Sequence, residues 1–321
     1  MSHFRQSKAT HLGKGAIMSL PEHLVSLLAD QYAEPDIERI LEGYRAQRNV
    51  TLRANTLSSS KDEVANELDG AGIAWSGVDW YADAFVIENA RERQIWDLPI
   101  YEEGKVYLQS LSSMLPPIAL EARANEDVLD MCAAPGGKTS QIAALSGNRA
   151  HLTACEMHAP RADKLEYNLA KLGARNVVVM RTDARRMDEF FRFDRILVDA
   201  PCSGSGTLKL DNPNGLARFT PKLIEKSKKS QRALLSKALT LMKAGSTLVY
   251  STCSILEEEN ESIVRDCLSK ARRQGTFELK PLTFACMEAI PTLPSALDEA
   301  LVVCPTELYE GFFMVRIERT A

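Results

Sequence analysis

Apolar and polar positions follow one rhythm before about residue 110 and another after it. From Leu129 onward, short apolar runs alternate with helical patterns. This is the signature of an α/β domain whose mostly parallel, doubly wound sheet carries crossover helices on both faces. The runs predict strands over 128–131, 151–156, 176–180, 195–199 and 246–250. Helices are expected over 138–145 behind the Gly136-Gly137 pair, over 160–172 up to Gly173, and over 221–243, opened by Pro221 and stopped before Gly245. Proline suits the first helical position and glycine the place just past the end. The pattern amounts to five βα units in succession. A further helix is expected from 257 to about 273, and late strands over 277–279, 301–303 and 312–317 then close one edge of the sheet. The earlier region reads as a small α+β module, with helices over 21–31, 36–43 and 61–68 and strands over 50–54 and 84–88. The expected division is therefore a segment 1–20, a module over 21–110 and a larger domain over 111–321.

The chain has 321 residues, 45% of them hydrophobic, enough to fill a substantial core. No run of about 18 uncharged apolar residues occurs and the first 20 residues lack the apolar stretch of a secretory signal, so a cytoplasmic protein without a membrane partner is expected. Seven cysteines stand at irregular spacings, with no C-x-x-C and no His pair at zinc-ligand spacing. Free thiols fit better than disulfides or a metal site. The net charge of −4 argues against a protein that coats nucleic acid nonspecifically, so any such contact must be local. Two patches qualify. One is Arg5, Lys8 and Lys14 near the start; the other is Lys226, Lys228, Lys229 and Arg232 within 222–237. Lys222, Lys226 and Lys229 share one helical face. A solvated helix surface is the ordinary reading of such a row, and only its position beside the motifs described next improves the odds of the functional one.

After the first strand stands the tight turn Asp130-Met131-Cys132-Ala133-Ala134-Pro135-Gly136-Gly137-Lys138-Thr139. Its small residues allow a ligand to approach the backbone, and the helix that follows offers unpaired N–H groups. A Walker A loop would need glycine where Cys132 stands, and the G-x-G-x-x-G of dinucleotide binders is missing. A ligand with adenosine and no phosphate fits better. Glu156 ends the second strand, where a carboxylate can accept ribose hydroxyls, and Asp183 follows the third, within reach of an adenine amino group. A lone acid here is as often a helix cap. Recurrence at consecutive strand ends, where open α/β sheets bind ligands, favours a site.

The fourth strand runs into Asp199-Ala200-Pro201-Cys202-Ser203-Gly204 and the fifth into Ser251-Thr252-Cys253-Ser254. If these strands are neighbours, about 4.8 Å apart, both thiols reach one crevice. A lone cysteine is most often a small buried hydrophobe. A pair at adjacent ligand-edge loops points to chemistry on a pyrimidine, whose C5 is too electron-poor to take a methyl group unaided. A thiolate added at C6 makes C5 nucleophilic, and a second group helps the enzyme leave. Lys138 can supply positive potential to ionise a thiol, and Asp199 can bond the cytosine N3 and amino edge. These residues alone leave the two cysteines unordered.

Cys-Ala-Ala-Pro-Gly-Gly-Lys-Thr, Asp-Ala-Pro-Cys-Ser-Gly and Ser-Thr-Cys-Ser, in this order, resemble the Sun/NOP family of RNA 5-methylcytosine methyltransferases. The likeness extends to Leu52-Arg53-Ala54-Asn55-Thr56-Leu57, Tyr107-Leu108-Gln109 with Ser112-Ser113, Glu258-Glu259-Asn260-Glu261 and Glu310-Gly311-Phe312-Phe313. The resemblance implies a Rossmann-like methyltransferase domain with S-adenosylmethionine as cofactor and no metal. It implies that Cys253 attacks C6 while Cys202 assists release. It further implies cofactor contacts from Cys132, Ala133, Ala134, Pro135, Gly136, Gly137, Lys138, Glu156, Arg161, Asp183 and Asp199, and base contacts from Lys138 and Asp199. The N-terminal module is then similar to an RNA-recognition domain, and the partner is structured RNA, ribosomal before transfer RNA. After Lys209 the family usually continues with a second basic residue and Pro-Asp, but here stand Leu210, Asp211, Asn212, Pro213 and Asn214, so the resemblance carries no RNA contact to that loop. The chain resembles short members without an additional C-terminal RNA-binding domain, and a monomer is the default. A catalytically idle RNA-binding or assembly factor is the competing expectation, and intact Cys253, Cys202, Asp199 and Lys138 count against it. Amino-group methylation would call for Asn/Asp-Pro-Pro-aromatic after the fourth strand, which Asp-Ala-Pro-Cys does not supply.

Overall fold

The computed structural model describes residues 20–320, so Arg5, Lys8 and Lys14 lie outside the described residues. Two helices come first, α1 (Glu22–Gln31) and α2 (Glu34–Arg45). A four-stranded antiparallel sheet follows, built from β1 (Val50–Ala54), β2 (Trp75–Val78), β3 (Tyr81–Ile87) and β4 (Val106–Leu108) in the order β2-β3-β1-β4. Helix α3 (Lys61–Gly70) covers it, capped by Ser60, whose side chain accepts from the Glu63 N–H. Val64 and Leu68 of α3 pack with Leu52, Phe85 and Ile87 of the sheet. Two short helices, α4 (Glu92–Trp96) and α5 (Pro99–Glu102), lead back to β4.

Helices α1 and α2 do not pack on this small sheet. Leu24, Leu28, Tyr32, Ile40 and Tyr44 share a core with Ile255, Ile263 and Phe313 of the larger domain. Gly43 makes the close approach possible, because a Cβ there would stand 2.0 Å from the Pro305 carbonyl oxygen.

The larger domain opens with α6 (Leu111–Leu120) and then alternates β5 (Asp127–Asp130), α7 (Gly137–Leu145), β6 (His151–Cys155), α8 (Ala159–Lys171), β7 (Val177–Met180) and β8 (Phe193–Asp199). There follow α9 (Pro213–Arg218), α10 (Pro221–Leu241), β9 (Met242–Thr252), α11 (Glu261–Ala271), β10 (Phe277–Lys280), β11 (Thr292–Leu293), β12 (Leu301–Val303) and β13 (Phe312–Arg319). Its nine strands run in the order β11-β12-β13-β9-β8-β5-β6-β7, with β10 also on β13. Strands β5 to β9 are mutually parallel where they pair, and β13 runs antiparallel to β9, closing the edge as expected. Helices α10 and α11 bury Leu234, Leu235, Ile263 and Val264 on one face of the sheet, and α6 and α7 bury Leu111, Leu115 and Ile142 on the other. Strand order reverses at β5, which lies between β6 and β8, and open α/β sheets bind ligands outside such a point.

Several elements differ from expectation. The β7–β8 connection holds no α-helix, only a 3₁₀ turn at Ala184–Arg186, so that βα unit is incomplete. Helix α6 was not anticipated, since it is buried on nearly every side and so lacks a clear amphipathic period, and it contains Pro116 and Pro117. Pro117 cannot donate to the Ser113 carbonyl; the Gln109 side-chain amide does so instead, at 2.9 Å. Helix α10 ends at Leu241, earlier than expected, and β9 begins at once. The short strands β2 and β4 carry too few alternations to stand out in the sequence.

Candidate active site

Strands β8 and β9 pair in parallel with Asp199 opposite Ser251, so the loops after them leave the sheet side by side. Their thiols meet, with Cys202 Sγ and Cys253 Sγ 3.1 Å apart, and both cysteines are free. The hydrogen bond with Cys253 and burial push the Cys202 thiol well above its ordinary range, and the negative Glu259 adds to this. Lys138, in the first turn of α7, reaches across from β5. Its Nζ lies 2.8 Å from Asp199 Oδ2 and donates to Ser113 Oγ at 2.7 Å. The other carboxylate oxygen of Asp199 accepts from Ser251 Oγ at 2.8 Å. Burial alone would lower the Lys138 pKa, but Asp199, with Asp130 behind it, raises it, and the ammonium is held above its usual range.

Side chains that were not singled out as site residues hold the two cysteine loops together. Glu259, fully buried, accepts from the Ser203 N–H at 2.8 Å, from Ser203 Oγ at 2.5 Å and from Ser254 Oγ at 2.7 Å. It thus joins the residue after each cysteine, and burial raises its pKa. Ser205 and Ser254 hydroxyls are 2.8 Å apart, and the Gly206 N–H donates to the Cys253 carbonyl at 3.0 Å. Tyr44 and Tyr32 donate their hydroxyls, each at 2.6 Å, to the Ser205 and Ile255 carbonyls. A signal for Glu259 was available, namely an acid-rich run directly after Ser-Thr-Cys-Ser. None existed for the tyrosines, whose contacts span more than 150 positions.

A cleft of about 290 Å³ opens beside the thiols, lined by Cys132, Ala134, Glu156, Arg161, Asp183, Asp199, Cys202 and Cys253 among others. Glu156 is buried, accepts from the His158 N–H at 2.8 Å and pairs with Arg161 at 3.1 Å. Arg161 also donates to the Ala134 carbonyl, tying the β5 turn to α8. The Asp183 carboxylate is engaged by Arg185 at 2.7 Å, which lowers its pKa. Beneath the turn Asp130 is sealed from solvent and accepts from Thr139 Oγ1 at 2.7 Å. Ser230 and Leu234 of α10 also line the cleft, which sequence reasoning missed.

Ala133, Pro135, Gly136, Gly137 and Lys138 are not among the lining residues. Gly137 has a different reason to be small, because a Cβ there would sit 2.8 Å from the Tyr107 ring. Next to it lies Arg53, fully buried and, among the described residues, without a salt-bridging carboxylate. It donates to Gln109 Oε1 at 2.9 Å and to Ser140 Oγ at 2.7 Å, and burial lowers its pKa to about 10. The small sheet is therefore tied to the first turn of α7. Among the described residues, no group of three or more His, Cys, Asp or Glu could hold a metal ion, and no helix is long and apolar enough to cross a membrane.

A family model described as 16S rRNA methyltransferase RsmB/F matches residues 117–318. The chain belongs to this RsmB/F family. The ferredoxin-like domain of the same family matches residues 20–94, so the expected fold, a Rossmann-like sheet with a small N-terminal α+β module, is that of the RsmB/F proteins. Ribosomal RNA small subunit methyltransferase F of Shewanella piezotolerans is 32% identical over 329 residues, covering 100% of this chain and 65% of the relative. The chain thus spans less than two thirds of that protein's length. Among solved structures, a methyltransferase homolog protein from Pyrococcus horikoshii is 30% identical with a TM-score of 0.75, covering 94% of this chain and 100% of that one. NSun6 from Pyrococcus horikoshii with SFG has a TM-score of 0.82 at 21% identity, covering 95% of this chain and 100% of that one, a likeness of fold alone. The Sun/NOP resemblance agrees with this RsmB/F membership.

Proposed function

We propose that the chain is an S-adenosylmethionine-dependent methyltransferase that forms 5-methylcytosine in structured RNA, ribosomal RNA of the small subunit first, in the cytoplasm. The observation that carries this reading is the pair of free thiols, 3.1 Å apart, at a cleft that also holds Glu156, Asp183 and Asp199. The cleft suits the cofactor. The enclosed carboxylate of Glu156 has lone pairs free for ribose hydroxyls beside its bonds to Arg161 and the His158 N–H. Cys132, Ala134 and Arg161 would flank the ligand, and Asp183 would face its base. When bound, S-adenosylmethionine supplies an electrophilic methyl group on sulfur.

Cys253 acts as the nucleophile. Its thiolate adds to C6 of the cytosine, and the electron pair displaced onto C5 takes the methyl group. Solvent takes the C5 proton, the freed electron pair re-forms the C5–C6 double bond and the C6–S bond breaks, with the Cys202 thiol, 3.1 Å away, protonating the departing Cys253 sulfur. Cys202 suits the second role because burial and its sulfur neighbour keep its proton on. Lys138 fixes Asp199, whose remaining lone pairs meet the N3 and amino edge of the base. The base must leave its stack to reach the thiol. The module within 21–110 faces RNA, and 111–321 carries the chemistry.

Methyl transfer from labelled cofactor to unmodified small-subunit ribosomal RNA and to transfer RNA, followed by bisulfite sequencing, tests the proposal. Label in a single bisulfite-resistant cytosine of the ribosomal RNA is expected. Label in transfer RNA alone would reassign the substrate, and no label in either would remove the enzymatic reading.

A further inference from the structure

Helix α10 carries cations all along its length, and they fall into two groups. Lys228 pairs with Glu225 at 2.6 Å and Glu258 at 2.8 Å, Arg232 with Asp266 at 3.2 Å and Lys237 with Glu189 at 3.2 Å. Lys222, Lys226 and Lys229 are exposed and, among the described residues, form no salt bridge. They occupy one face of α10, where positions three and four apart are neighbours, and the face continues with the small residues Ala233 and Ser236. Together these residues line an open groove of about 710 Å³. The groove's acid, Glu225, is already taken by Lys228.

The same helix builds the active cleft. Ser230 and Leu234 line it, and Gln231 Nε2 donates to the Pro201 carbonyl at 3.1 Å, one residue before Cys202. Lys226 therefore stands one turn from a residue of the cleft wall, and Lys229 directly beside it. The 3₁₀ turn Ala184–Arg186 packs on α10 and adds exposed Arg186, which also makes no salt bridge among the described residues. Among the described residues the groove has no large apolar or aromatic lining side chain, whereas protein interfaces centre on such residues. Unpaired cations on a chain of net charge −4 instead complement a polyanion.

We propose that Lys222, Lys226 and Lys229 of α10 form a docking surface for the RNA phosphate backbone, which leads the target nucleotide to the cleft. The inference deepens the methyltransferase reading and rests on it. RNA contact would then lie on the catalytic domain itself as well as on the N-terminal module. The contacts are with phosphates and position the strand without reading bases.

The test measures binding of the full chain to an unmodified small-subunit ribosomal RNA transcript at several salt concentrations. The K222Q/K226Q/K229Q variant is compared with wild type, with the same three positions as arginine, and with a K164Q/R272Q/R273Q control elsewhere on the surface. Loss of three phosphate contacts should weaken binding at least about tenfold and flatten the log–log salt dependence by about 2. The arginine variant and the control should bind as wild type does. Cofactor affinity and turnover at saturating RNA should be unchanged in all variants, showing that the fold is intact. Wild-type affinity and salt slope in the glutamine variant, or an equal loss in the control, would overturn the inference. Methyl transfer by the wild type to the same transcript is read in parallel. If it occurs while the glutamine variant binds normally, only the docking surface falls; if it fails while the variant binds weakly, only the chemistry falls.

Discussion

Asp130 lies sealed beneath the turn after β5, and burial, reinforced by the charge of Asp199, raises its pKa from 3.8 to about 6 despite the Thr139 hydroxyl. A carboxyl whose pKa is higher folded than unfolded binds its proton more tightly in the folded state. Its contribution to stability is therefore full below about pH 4 and is lost as the pH rises through about 6. The gap corresponds to ~3 kcal/mol, at ~1.4 kcal/mol per pH unit. Asp130→Asn does not titrate, so its stability relative to wild type should improve by up to that amount between pH 4 and 7, measured by urea unfolding at each pH. A constant difference across that range would place the Asp130 proton elsewhere. At this scale the sequence disclosed residues that the structure brings together around the two thiols, but not their neighbours. Cys202, Cys253, Asp199 and Lys138 sit in short motifs at strand ends and could be read there. The reason for Gly137 could not, because the ring that demands it belongs to Tyr107, some thirty positions upstream.

Among the elements, α1 and α2 act on the cysteine loops from outside the sheet. Their tyrosine hydroxyls satisfy the Ser205 and Ile255 carbonyls, both in the loops that follow β8 and β9. Tyr44→Phe leaves a buried carbonyl without its donor and should cost about 1–3 kcal/mol in unfolding free energy. Because the Ser205 loop also carries Cys202, turnover should fall while cofactor affinity holds. Equal loss of cofactor affinity would mean that the change spreads to the β5 turn. Elements with a clear period, such as α8, α10 and the central strands, were legible to within a few residues. Helix α6 was hidden by burial on nearly every side and by two prolines, of which Pro117 has its lost bond replaced by Gln109, a tertiary remedy with no local trace. The 3₁₀ turn after β7 was hidden because a crossover helix is what an α/β rhythm leads one to expect.

The whole molecule joins a small antiparallel sheet and a large mostly parallel one around a single turn. Arg53 of β1 and Tyr107 of β4 press on the start of α7, while Lys138 on the other side of that start holds Asp199. The fold class was readable because it rests on alternation along the chain. The packing of α1 and α2 on the larger domain was not, since it depends on contacts between residues far apart in sequence. The central claim is that the two adjacent thiols divide one covalent reaction, with Cys253 attacking and Cys202 releasing. Incubation of the full chain with cofactor and labelled unmodified ribosomal RNA, followed by a denaturing gel, tests it most directly. Cys202→Ala should hold the RNA in a protein adduct that survives denaturation, and Cys253→Ala should form none and transfer no methyl group. An adduct in Cys253→Ala, or methylated RNA released normally by Cys202→Ala, would contradict it.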